Sequence, residues 1–130
     1  MAKILIIDDD LLLLKVMISL LEEEKHDISA ATDGIQGIKL LEAQRFDLVI
    51  TDVIMPEEDG LGILKWLLTQ PVRPKVIAMS GGSAALDQSF ILDMCRRLRA
   101  DKILPKPVDV ETLLNAVNEV LKGVRNMNVC

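Results

Sequence analysis

Ile4-Leu5-Ile6-Ile7-Asp8-Asp9-Asp10 runs four apolar residues straight into three carboxylates. An unbroken apolar run of that length suits a strand covered on both faces, and the acidic stop marks where it leaves the interior. The same pattern recurs downstream. Residues 48–51 run into Asp52, 76–79 into Ser80, and 103–104 are followed, after one proline, by Lys106. Residues 28–31 are a less apolar strand candidate. Between these runs the apolar period changes to that of amphipathic helices. In 11–22, Leu13, Val16, Met17, Leu20 and Leu21 read as the inward stripe. In 84–98, Phe90, Ile91, Met94, Cys95 and Leu98 share a side. In 110–122, Val110, Leu113, Leu114, Val117, Val120 and Leu121 do so, with Asp109 as N-cap. Helices are also expected near 35–44 and 58–69. Five strand–helix units in series predict an α/β fold, a doubly wound five-stranded parallel sheet with five helices.

At 130 residues, half of them apolar, the chain is expected to bury one core without disulfides or structural metal. A formal charge of −5 argues against a general nucleic-acid binder. No apolar run approaches the roughly 20 residues that span a bilayer, and only three residues precede the first strand, which does not suit a signal peptide. Cys95 and Cys130 have no metal-like or redox-like spacing, so the natural reading is a reducing cytoplasm. One domain over residues 1–124 and a short tail over 125–130 are expected. His26, in a polar loop, reads as solvated.

Ligands of doubly wound sheets bind beyond the carboxyl ends of the strands, where the polar residues fall: Asp8 and Asp9, Asp52, Ser80 and Lys106. Converging carboxylates repel unless a cation intervenes, and a hard divalent ion with oxygen ligands meets that need. Lysine supplies a point charge for a phosphoryl oxygen and a serine hydroxyl a hydrogen bond. Asp10 reads as a helix cap.

Four motifs in order, Ile4-Leu5-Ile6-Ile7-Asp8-Asp9-Asp10, Thr51-Asp52-Val53-Ile54-Met55-Pro56-Glu57-Glu58-Asp59-Gly60, Met79-Ser80-Gly81 and Lys106-Pro107, resemble those of the receiver domains of two-component response regulators. The resemblance covers residues 3 to about 122. It implies a flavodoxin-like receiver of strand order 2-1-3-4-5, a phosphoacceptor at Asp52, and Mg²⁺ held by Asp9, Asp52 and the Ile54 backbone carbonyl, with Asp8 acting mainly through a coordinated water. It further implies Lys106 and Gly81 beside the phosphoryl group, Ser80 as the switch hydroxyl, and a cis bond at Lys106-Pro107. The donor would be a histidine kinase or a histidine phosphotransfer protein, and the readout the face of the fourth helix, fifth strand and fifth helix. Such a domain promotes its own phosphorylation and dephosphorylation and is otherwise a signalling switch, not an enzyme, with no membrane or direct nucleic-acid partner implied.

The chain departs from the family pattern at Ile103, where receivers usually carry Phe or Tyr, so a readout through a turning ring is not expected. Haloacid-dehalogenase phosphatases also use an aspartyl phosphate and Mg²⁺, but want a second Asp two residues after the nucleophile, where this chain has Ile54. A receiver-like module that never turns over phosphate is the other rival. Leu11, Leu14 and Ile18, spaced i, i+3 and i+7, suggest an apolar docking face for a phosphotransfer partner or a second copy; the alternative is that they widen the core.

Overall fold

The computed structural model describes residues 1–52, 59–80, 93, 97 and 99–123, and for 59–61 and 80 the backbone only. Five strands, β1 (Lys3–Ile7), β2 (Asp27–Ala31), β3 (Leu48–Asp52), β4 (Lys75–Ser80) and β5 (Lys102–Pro105), form one parallel sheet in the order β2-β1-β3-β4-β5. Four helices are described: α1 (Leu11–Glu23), α2 (Gly34–Ala43), α3 (Asp59–Leu68) and α4 (Val110–Leu121). Here α4 is the last of the five predicted helices. The helix predicted over 84–98, Cys95 and the glycine-rich entry to it lie outside the described residues. Only Asp93 and Arg97 of that stretch are described; both are helical and form an exposed ion pair at 3.0 Å.

Strand pairing explains the sequence pattern. β1 and β3 are interior strands paired on both edges, and residues 4–7 and 48–52 are buried without a break. β2 is an edge strand, half-covered, and correspondingly less apolar. Alternate residues serve the two faces. Leu5, Ile7, Val49, Val76, Ala78 and Ile103 pack with α2 and α3, while Ile4, Ile6, Leu48, Ile50, Ile77 and Met79 pack with α1 and α4. α2 approaches the sheet so closely at Gly37 that a Cβ there would lie 2.6 Å from Ile7 Cδ1.

Three aspartates start three helices. Asp10 accepts from the Leu12 and Leu13 N–H groups, Asp33 from Gln36 and Asp109 from Thr112. Each satisfies a donor that a first helical turn leaves unpaired. The bonds to Thr112 hold the Asp109 carboxyl below its ordinary pKa.

The face of α1 needs correction. Leu14, Met17 and Leu21 are buried and Ile18 packs beside them, whereas Val16 is exposed. The inward side therefore holds Leu13, Met17 and Leu21, as expected, together with Leu14 and Ile18, which belong to the core rather than to a docking face. A helix opening on four leucines is apolar nearly all round, so spacing alone admits two phases. The closure of α1 over Ile4 and Ile6 selects one. His26 also differs from expectation: it is half-buried, its Nδ1 accepts the Ala2 N–H at 3.1 Å, and burial, then the N-terminal ammonium, lowers its pKa. Trp66 is half-buried against the α2–α3 side of the core.

Candidate functional site

Register brings the site together. Ile7 stands level with Thr51, so Asp8 and Asp52 leave adjacent strands side by side. Ser80 stands level with Pro105, which places Lys106 one residue beyond the sheet, two strands from Asp52. A lysine side chain is long enough to cross β4, and Lys106 does. Its Nζ donates to Asp8 Oδ2 at 2.8 Å and to Asp52 Oδ2 at 2.7 Å. The bond after it, Lys106–Pro107, is cis, as the family resemblance implied.

Asp8 is fully buried and Asp52 only 4% exposed, while Asp9 stands at the surface. Carboxylate oxygens of the three lie within 4.8 Å of one another. Asp8 is held on both sides: its Oδ1 accepts the Asp10 N–H at 2.9 Å and its Oδ2 accepts from Lys106. Asp10 thus does two jobs, capping α1 with its side chain and orienting Asp8 with its backbone. Burial opposes the charge on Lys106, but hydrogen bonds to Asp52 and Asp8, and the charges of both, outweigh it and hold the ammonium above its ordinary pKa. Among the described residues the cluster gathers three carboxyl groups and one ammonium. Its donors are all hard oxygen, which suits a divalent ion such as Mg²⁺ and not a soft-ligand metal.

Of the residues singled out in the sequence, Asp8, Asp9, Asp52 and Lys106 converge. Ser80 ends β4, with its side chain outside the described residues; Ile54 and Gly81 lie outside them altogether. Ile103 is 5% exposed and packed in the core beside Ala78 of the neighbouring strand. At the site mouth Leu11 is 59% exposed and its neighbour Leu12 74%. Sequence spacing does not single out Leu12, which falls neither in the expected inward stripe nor in the set Leu11, Leu14 and Ile18.

A sequence profile described as "Response regulator receiver domain" matches residues 4–118. Transcriptional regulatory protein CpxR of Escherichia coli is 35% identical over 122 residues, covering 94% of this chain and 50% of that protein. The CpxR homolog of Haemophilus influenzae is 30% identical, covering 94% and 51%. The chain thus spans about half the length of the curated relatives it matches. Among solved structures, the receiver domain of the Francisella response regulator 1452 superposes with a TM-score of 0.82 at 29% identity, covering 95% of this chain and 98% of that one. A response regulator receiver domain protein from Clostridium thermocellum gives 0.81 at 27%, covering 95% and 96%.

Proposed function

Because this chain belongs to the response-regulator receiver family, we propose that it is a switch in which Asp52 accepts a phosphoryl group from a phosphohistidine. The observation that carries this reading is the single ammonium of Lys106 bridging Asp8 and Asp52, with Asp9 completing the carboxylate group. An Asp52 oxygen attacks phosphorus, the P–N bond to the imidazole breaks, and an acyl phosphate forms as the imidazole takes a proton from solvent. Mg²⁺, held by Asp8, Asp9, Asp52 and the Ile54 carbonyl, would supply the divalent charge that offsets these carboxylates and the transferring oxygens. Lys106 starts 2.7 Å from the acceptor oxygen and can pass that hydrogen bond to a phosphoryl oxygen.

The new group brings about −1.5 to −2 charges and strong acceptor oxygens. Ser80, which ends β4, and Gly81, the next residue in sequence, are the proposed contacts through which the change reaches the adjoining β5–α4 face. The fully packed Ile103 argues against an inward-turning ring as the relay. Leu11 and Leu12, exposed beside Asp9, are suited to seating the helices of a histidine kinase or phosphotransfer protein. Leu14 is not, being core.

Incubation with acetyl phosphate and Mg²⁺ should add the mass of one phosphoryl group, and Asp52→Asn should abolish the gain. Labelling of that variant at the wild-type level overturns the assignment. Leu12→Glu should slow transfer from a phosphorylated kinase without changing labelling by acetyl phosphate.

A further inference from the structure

At the amino ends of the strands, opposite the aspartate cluster, lies a cleft of about 640 Å³. Ala2 precedes β1 there, Asp47 precedes β3 and Lys75 opens β4, so the cleft stands about one strand length, roughly 17 Å, from Asp52. Its volume is within the range of small-molecule sites. Phe46 and Leu67 are buried in its wall, and Leu41 and Trp66 are half-buried beside them.

The charge around this apolar wall runs against that of the molecule. On a chain of net charge −5, the cleft is lined by the cations Arg45, Arg73 and Lys75 and by one carboxylate, Asp47. That carboxylate is directed elsewhere, its Oδ2 accepting the Lys3 N–H at 2.8 Å. Among the described residues neither Arg45 nor Lys75 forms an ion pair. The Arg73 guanidinium is held at the cleft by donating to the Arg99 carbonyl at 3.3 Å.

We infer that this cleft is a second binding site, for a small anion carried on an aromatic ring, such as an aromatic carboxylate. The ring lies against the Trp66 and Leu41 wall, where its apolar faces leave water. The anionic group meets Arg45 and Lys75 at the rim. Guanidinium groups suit this role because their planar fork matches a carboxylate. Nothing in the inference rests on phosphorylation of Asp52.

The test is a titration of the ¹⁵N-labelled 130-residue chain with 2-naphthoate, and in parallel with the uncharged 2-naphthamide. Naphthoate should give saturable shifts at the amides of Ala2 and Phe46 and at the Trp66 indole N–H, leaving Asp8, Asp9 and Lys106 unmoved. The amide should bind about tenfold more weakly, and the R45Q/K75Q double variant should lose about tenfold for naphthoate while binding the amide as before. Absence of saturation, equal binding of acid and amide, or an unchanged affinity in the double variant would each overturn the inference. Concentration-dependent shifts of the same amides without naphthoate would overturn it too, by assigning the cleft to a second copy of the chain.

Discussion

At the carboxyl ends of the strands Asp8 and Asp52 share one ammonium, while at the amino ends Asp47 and Asp101 each hold a backbone N–H. The residue type is the same, but the supply of donors is not. Asp47 accepts from Lys3 and Asp101 from Val76, each at 2.8 Å, so each closes the start of a strand. Asp101 also returns its own N–H to the Val76 carbonyl at 2.8 Å, completing a two-way clasp. At the other end, among the described residues, three carboxylates gather around one lysine, which pairs with two of them. An aspartate that closes a backbone is complete as folded. Aspartates gathered around a shared lysine form a group that could also hold a metal ion.

Removing the shared ammonium should have the largest effect. Lys106→Met takes the shared cation from two buried carboxylates, and breaking a buried pair in this way typically costs about 3 kcal/mol or more. Urea unfolding at neutral pH measures the loss. The wild type also needs its alkaline limb. Because folding raises the Lys106 pKa, its stabilisation is fully present below the ordinary value of 10.5 and is lost as pH rises through the raised value. Lys106→Met should lack that limb. A variant as stable as the wild type would show that the carboxylates do not depend on this lysine, and the contrast between the two ends would fall.

The amino end should respond to shape and not to charge. Asp101→Ala leaves the Val76 N–H without its acceptor, a loss of about 1–3 kcal/mol. Asp101→Asn keeps an oxygen in place and should retain most of the stability. If the asparagine variant falls as far as the alanine one, charge matters at both ends alike.

The two ends also differ in how far they can be read from sequence. The upper site is legible because each of its residues directly follows an apolar strand, and a parallel sheet delivers every such residue to one edge. Asp8, Asp52 and Lys106 needed no distance to be grouped. The clasps of Asp47 and Asp101 are hidden, since their partners Lys3 and Val76 stand 44 and 25 residues away along the chain. His26 meets Ala2 across 24 residues and was missed for the same reason. Edge strand β2 was faint because half-covered residues need not be apolar. The phase of α1 was ambiguous because Leu11, Leu12, Leu13 and Leu14 supply an apolar residue in every direction. Only the sheet beneath chooses Leu14 over Val16.

A smaller effect should come from the surface member of the upper cluster. Asp9→Asn removes one charge without exposing a buried partner. In metal-free buffer it should leave stability unchanged or raise it by a few tenths of a kcal/mol, the scale of exposed charge effects. Adding Mg²⁺ should stabilise the wild type by about 1.4 kcal/mol for each tenfold excess over its dissociation constant, and the variant less at the same concentration. Equal responses of the thermal midpoint would remove Asp9 from the metal group.

The smallest effect belongs to an aspartate that serves neither end in these ways. Asp109 starts α4 at the surface, and its Oδ1 accepts the Thr112 N–H at 2.7 Å. That bond favours the charged form, so the carboxyl lies below its ordinary value of 3.8. A depressed folded pKa gives stability that is present above the unfolded value and is lost as pH falls through the folded one. The window therefore opens below about pH 3.8. Asp109→Ser separates the contributions, because serine keeps a cap acceptor but has no charge to lose. Helix content at neutral pH should be nearly unchanged. Between about pH 5 and pH 2 the wild type should lose slightly more of its thermal midpoint than the serine variant. Parallel decline of the two proteins would mean that the Thr112 bond depends on an acceptor alone, which would group Asp109 with the clasps at the amino ends.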